Sequence, residues 1–286
     1  QSHMSGNENG PANHEKALTY ISYLKVDELL ELQQPVSDGP EHDEMLFIVI
    51  HQTYELWFKQ LLHEAAALQS ALSAGDTHRS LGLLGRMRTI MKTCVAQIDI
   101  LETMTPLQFN SFRGFLQSSS GFQSAQFREF EAVLGRRDKA GDGAPAGSGM
   151  GMAEHLIYGS PARSRVEAAM KRPSLWDSTL AYLATRTDKL PASALNRDVT
   201  TAWSPNEEVQ AVLLDIHRTD ADAAAVCERL VDLDEGLQEW RYRHVKMVER
   251  TIGRKVGTGG SAGVDYLAST LFRSVFPDLW AIRSKF

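Results

Sequence analysis

Asp43-Glu-Met-Leu-Phe47-Ile-Val-Ile50-His51-Gln-Thr-Tyr54-Glu-Leu-Trp57-Phe58-Lys-Gln-Leu61-Leu-His-Glu-Ala65 decides the fold. Apolar side chains recur at three- and four-residue spacing through Phe47, Ile50, Tyr54, Trp57, Phe58, Leu61 and Ala65, the period of a helix with one buried face. Asp43 and Glu44 stand where a helix amino terminus favours negative charge. The pattern predicts one helix over Asp43 to Leu72, closed by Gly75-Asp76. The next segment repeats the period from about Ser80 to Met104 and stops before Pro106. So short a connection makes the two helices antiparallel neighbours.

The same reading extends outward. Helices are expected at Pro106 to Gln117, Phe122 to Leu134, Ser164 to Lys171, Leu175 to Ala184, Asn206 to Arg218, Asp220 to Ile252 and Gly263 to Ser274. Alternating, strand-like runs are almost absent, so the fold class is all-α, with long antiparallel helices. Between Arg136 and Met152 the composition shifts to Gly, Ala and Asp, too poor in apolar residues to order itself. Residues 138 to 152 are read as a mobile loop inside a single helical domain over 18–286. Residues 1–17 are read as a disordered tail whose Gln1-Ser2-His3 is a tag scar ahead of Met4.

With 286 residues, 43% hydrophobic, the chain can bury roughly three quarters of its unfolded surface and needs no covalent staple. Thirty Lys and Arg against 36 Asp and Glu leave −6, which excludes a global electrostatic case for nucleic acid or anionic membrane. Cys94 and Cys227 belong to no C-x-x-C pair, which argues against a disulfide framework or a cysteine zinc site and fits a reducing compartment. No apolar run approaches the ~20 residues of a membrane span. The expected location is cytoplasmic.

Two glycine-rich matches are decoys. Gly257-x-Gly259-x-x-Ala262 fits a loose dinucleotide fingerprint and Gly259-x-Ser261-x-Gly263 a nucleophile elbow, but both motifs must follow a strand, and Val248 to Arg254 continues a helix. A backbone-rich loop leading to a helix amino terminus remains, suited to an anion or small polar group or to a plain connector. No histidine sits in H-E-x-x-H or a zinc-like spacing. His51 lies on the most apolar stretch of the chain, where an imidazole must find a partner or stay neutral. His244, in Trp240-Arg-Tyr-Arg-His-Val-Lys246, is an imidazole among aromatic and basic neighbours, a combination able to ligate a haem iron and meet its propionates. Arg113 stands among Phe109, Phe112 and Phe115; a guanidinium buried there wants a carboxylate, from the protein or from a ligand, and one that snorkels to the surface needs none.

Read together, four segments resemble the tryptophan 2,3-dioxygenase family: His42-Asp-Glu-Met-Leu-Phe-Ile-Val-Ile-His51-Gln-Thr-Tyr-Glu-Leu-Trp57, Phe112-Arg113 through Ser119-Ser-Gly-Phe-Gln-Ser124, Trp240-Arg-Tyr-Arg-His244, and Gly257-Thr-Gly-Gly-Ser261. The similarity runs from about Leu18 to Trp280. It implies an all-helical enzyme of haem b, a homotetramer, that inserts both atoms of O2 across the indole C2–C3 bond of L-tryptophan to give N-formylkynurenine. By position, His244 resembles the axial ligand of the iron and His51 the distal histidine facing the indole N–H. Arg113 matches the residue that takes the substrate carboxylate, and Thr258 one near its ammonium. Phe47, Ser120 and Gly121 match pocket-lining positions. Tyr20, Tyr23 and Leu24 match an amino-terminal segment that reaches into a neighbouring subunit's site. Phe109 departs from the pattern: some relatives carry tyrosine there, so a phenolic hydrogen bond to the carboxylate is missing. Indole N–H is a very weak acid, which favours His51 as an orienting acceptor over a base. Three rival readings stand beside it. The related indoleamine dioxygenase is opposed by the long motifs, a non-catalytic helical haem-binding sensor or carrier by Arg113 and Thr258, and a cofactor-free scaffold would be colourless.

Overall fold

A computed structural model describes residues 17–117, 119, 124–137, 156, 158–253 and 264–286. The expected connector at 138–152 and the decoy glycines at 257–263 lie outside them. Among the described residues the chain is helical throughout, without a strand. In chain order the helices are α1 (Tyr20–Leu24), α2 (Val26–Leu30), α3 (Glu44–Ser73), α4 (Thr77–Leu101), α5 (Pro106–Arg113), α6 (Ala125–Leu134) and α7 (Pro161–Met170). They continue as α8 (Leu175–Ala184), α9 (Ala192–Leu195), α10 (Glu207–Thr219), α11 (Ala221–Ile252), α12 (Val264–Ala268) and α13 (Pro277–Ala281).

Local chemistry sets the ends. Asp76 accepts the backbone N–H of Arg79 at 3.0 Å, which starts α4 at Thr77, three residues before the expected Ser80. At its other end Thr103 and Met104 bond back three residues, to Ile100 and Leu101, so regular helix closes at Leu101 and not at Met104. Thr105 and Gln108 form a capping box over Pro106, and α5 gives way to a short 3-10 turn after Arg113. The helix expected over Gly263 to Ser274 shrinks to Val264–Ala268, because Leu271 and Arg273 bond back to Ala268 and Thr270 in three-residue turns.

The strongest seams join α4 to α3 and to α11, so α4 is the spine on which the two longest helices lie. Gly75 makes the α3–α4 turn: its φ is +71°, and an added Cβ would stand 3.4 Å from the Thr185 hydroxyl. On α11, Gly236 brings the backbone against Met91 of α4. The core between them is apolar and tightly filled by Leu61, Leu68, Leu72, Leu84, Met87 and Ile98. Cys94 of α4 and Cys227 of α11 are buried in it as free thiols.

Two buried carboxylates fasten the C-terminal segment. Asp234 accepts the backbone N–H groups of Val275 and Phe276 and the Trp280 indole at 2.8–2.9 Å. Asp278 accepts from Trp203 Nε1, Asn206 N and Gln210 Nε2 at 2.6–2.9 Å. The N-terminal helices are attached differently. Glu44 accepts the N–H groups of Val36 and Ser37, and Gln52 donates to the Leu32 carbonyl, which fixes the chain along α3. Yet neither α1 nor α2 buries a single residue. Tyr20, Tyr23 and Leu24 stand 75, 69 and 47% exposed.

Candidate active site

The helical period puts Phe47, His51 and Glu55 one above another on one side of α3. His51 Nδ1 lies 2.7 Å from the Phe47 carbonyl oxygen, and its ring meets the Phe47 ring at 4.2 Å. A carbonyl only accepts, so in the neutral ring Nδ1 carries the proton and Nε2 is a bare acceptor. The residue is nonetheless exposed to solvent. The protein around it is dense enough that burial still lowers its pKa below the ordinary imidazole value, against the raising effects of the Phe47 carbonyl and the Glu55 carboxylate.

An aromatic wall stands beside it. Phe47 packs on Phe109 and Phe112 of α5, each at 5.7 Å, and those two meet edge to face at 5.4 Å. Arg113 ends α5 half-buried, its guanidinium carbon 5.9 Å from the centre of the Phe109 ring. The Phe109 ring thus links the cation to Phe47, which packs on His51. Glu55 ties the wall's far side: its carboxylate accepts from Ser124 Oγ at 2.6 Å and from Gln126 Nε2 at 2.8 Å, at the start of α6.

His244 approaches from α11. Its ring stacks on Trp240, one turn earlier, at 4.9 Å and 8°. Burial lowers its pKa to about 4, with the His51 imidazole and the Arg128 guanidinium acting in the same direction. Nearly 200 residues apart in sequence, the two histidines are joined through packing: Trp240, stacked on His244, meets Tyr54 and Phe58 of α3, the helix that carries His51. Neither nitrogen of His244 has a hydrogen-bond partner among the described residues, and a neutral nitrogen donor on a 32-residue helix is what a metal requires of a histidine. Basic side chains cluster nearby. Arg128, Arg136 and Arg241 surround the buried Glu131 at 2.8, 2.6 and 3.7 Å.

The structure thus brings together His51, Phe47, Phe109, Arg113 and His244. Ser120, Gly121 and Thr258 lie outside the described residues. Tyr20, Tyr23 and Leu24 are not gathered to these side chains within the chain; they face outward. Glu55 and Trp240 carry no role that their place in the sequence announces. Each sits four residues from a candidate histidine, a spacing that puts both on that histidine's face.

Fold and site together define a class: helical proteins in which two long helices each carry an imidazole, one of them beside an aromatic wall that ends in a guanidinium. Comparison with known proteins narrows it. The family model described as tryptophan 2,3-dioxygenase matches residues 5–141 and 217–286. The tryptophan 2,3-dioxygenase of Anaeromyxobacter sp. (strain K) is 56% identical over 274 residues, 96% of this chain and 98% of that protein. Those of Herpetosiphon aurantiacus and Caulobacter vibrioides are 55% and 42% identical, each covering 94% of this chain and 98% of the relative. The chain belongs to the tryptophan 2,3-dioxygenase family.

Proposed function

We propose that the chain binds haem b through His244 and inserts both atoms of O2 across the C2–C3 bond of the indole of L-tryptophan, releasing N-formylkynurenine. The observation that carries this reading is the convergence of His51 and His244 from α3 and α11, with Phe47, Phe109 and Arg113 beside His51. His244 supplies a neutral nitrogen on a rigid helix, and the nearby arginines offer positive charge toward carboxylate groups of the cofactor. When bound, haem supplies the redox chemistry that activates dioxygen.

The chain's own residues select and orient. Arg113 pairs with the substrate carboxylate, a charge-assisted contact strengthened by the phenyl rings that keep water away. The Phe47 and Phe109 faces hold the indole flat. His51 Nε2 accepts the indole N–H and fixes which edge of the ring is presented. With phenylalanine at 109, the carboxylate rests on Arg113 without a phenolic donor beside it. Thr258 is assigned to the substrate ammonium, and Ser120 and Gly121 to the pocket lining, by the resemblance alone.

The assembly is proposed to be a homotetramer in which Tyr20, Tyr23 and Leu24 complete a neighbouring subunit's site, supported by the apolar surface that α1 leaves uncovered. A cytoplasmic setting is supported by two free buried thiols, and no described helix is long and apolar enough to cross a membrane. The decisive experiment reduces the purified protein anaerobically, adds L-tryptophan and then O2, and follows the haem spectrum and product absorbance together. Product formed at the rate of the haem spectral changes is expected. Haem without product would leave a carrier, and a colourless protein would overturn the reading. His244→Ala should lose the ferrous haem spectrum while keeping its helical circular dichroism.

A further inference from the structure

Trp240 lies one turn before His244 on α11, its ring nearly parallel to the imidazole. Residues four apart on a helix are neighbours by geometry, so this contact alone carries no function. What surrounds the indole does. It is buried, with Phe127 of α6 at 5.0 Å and Tyr54 and Phe58 of α3 both at 6.4 Å and close to perpendicular. Tyr54 is itself pinned, its hydroxyl donating to the Cys94 carbonyl of α4 at 2.9 Å. Two other helices, α3 and α6, therefore hold the indole directly, and α4 holds Tyr54 behind it.

A second observation concerns the choice of side chain. The Trp240 Nε1–H is buried and has no hydrogen-bond partner among the described residues. An unpaired buried donor is destabilising, and phenylalanine would fill an aromatic cluster without one. Hydrogen bonding gives no reason for tryptophan here. What indole adds over phenyl is flat area, and the indole lies nearly parallel to the His244 ring at 4.9 Å.

We propose that Trp240 is a positioning residue: by stacking on His244 it fixes the plane of the imidazole. A ring nitrogen's lone pair lies in the ring plane, so holding the plane sets the direction in which His244 offers its donor to the iron. This inference rests on the reading of His244 as the residue that would hold the haem iron.

The test uses the haem-loaded protein and measures the iron–histidine stretching band of the ferrous form by resonance Raman, together with the rate of haem loss to an excess of apomyoglobin. Trp240→Leu removes the stacking surface and should broaden and shift the band and speed haem loss about tenfold, the size expected when the support of a metal ligand is removed. Trp240→Phe keeps a smaller stacking face and should restore most of both properties. Phe127→Leu loosens the same cluster without touching His244; it should lower the melting temperature and leave the band in place. A band unmoved in Trp240→Leu, or moved as far by Phe127→Leu, would overturn the proposal. Should Trp240→Leu fail to fold, Trp240→Met takes its place under the same criteria. If the unsubstituted protein shows no iron–histidine band at all, the assignment of His244 fails first, and that outcome is distinct from the other two.

Discussion

His51 is a hydrogen-bond acceptor by construction, because its other nitrogen is already committed to the Phe47 carbonyl. An acceptor aimed at an indole N–H orients the ring without removing its proton. His51→Ala is therefore expected to keep its haem, bind tryptophan more weakly by about 0.5–1.5 kcal/mol plus a positional loss, and retain measurable single-turnover product. Haem retained with no product in His51→Ala or His51→Ser, and none from 1-methyltryptophan with the unsubstituted enzyme, would make His51 a base instead. The pH profile carries a sign. Burial lowers the His51 pKa, so Nε2 stays unprotonated as pH falls through the ordinary imidazole range near 6.5. kcat/KM for tryptophan should stay level there and fall only at lower pH; an acid limb centred at or above 6.5 would contradict this. Arg113 makes a separate prediction. Arg113→Ala should cost on the order of 2–4 kcal/mol in kcat/KM for L-tryptophan and far less for indole analogues lacking the carboxylate. Equal losses on both would make Arg113 a structural cation supporting Phe109.

At the scale of elements, α11 gives the site its rigidity. It is bound to α4 through Arg243, which reaches Glu102 at 3.0 Å and Asp99 at 2.7 Å, and toward α6 through Arg241 and Glu131. Burial pushes the Glu131 carboxyl up, while Arg128, Arg136 and Arg241 pull it down further, to about 2. A carboxylate held low in the folded state stabilises above its unfolded pKa, near 4.5, and that stabilisation is lost as pH falls toward 2. Glu131→Gln should thus lower stability near neutral pH by about 3 kcal/mol and flatten the acid side of the stability curve between those limits. A variant whose acid unfolding keeps the parental steepness would show that the arginines are paired elsewhere. These long elements were legible because each buries one face against the chain's own core: α3 and α8 fall within a residue of expectation, and α10 and α11 follow from Asn206 and Asp220 as caps. The helices α1 and α2 were not, since each is only five residues long, too short to show a helical period in the sequence. His51 and Arg113 could be found from their setting among apolar residues. The aromatic cage of Trp240 could not, because Tyr54, Phe58 and Phe127 meet it only through tertiary packing.

For the molecule as a whole, the exposed row formed by Leu18, Tyr20, Ile21, Tyr23 and Leu24 is more apolar surface than a solvated arm retains without a partner. Removing residues 1–24 should lower activity and shift the assembly to smaller species together, read by turnover and by mass in solution. A truncated protein of unchanged mass and full activity would rule out a shared site. The interior leads elsewhere. Cys94 sits in α4 and Cys227 in α11, both fully buried, and burial pushes each thiol up to about 12. Since the thiolate is the reactive form, the native molecule is silent toward alkylating reagents, and each carries a label only after its helix has left the spine. The chain therefore contains a clock of its own opening, with one hand on each side of the α4–α11 seam: equal labelling rates would describe a core that opens all at once, and unequal rates would name the helix that lets go first.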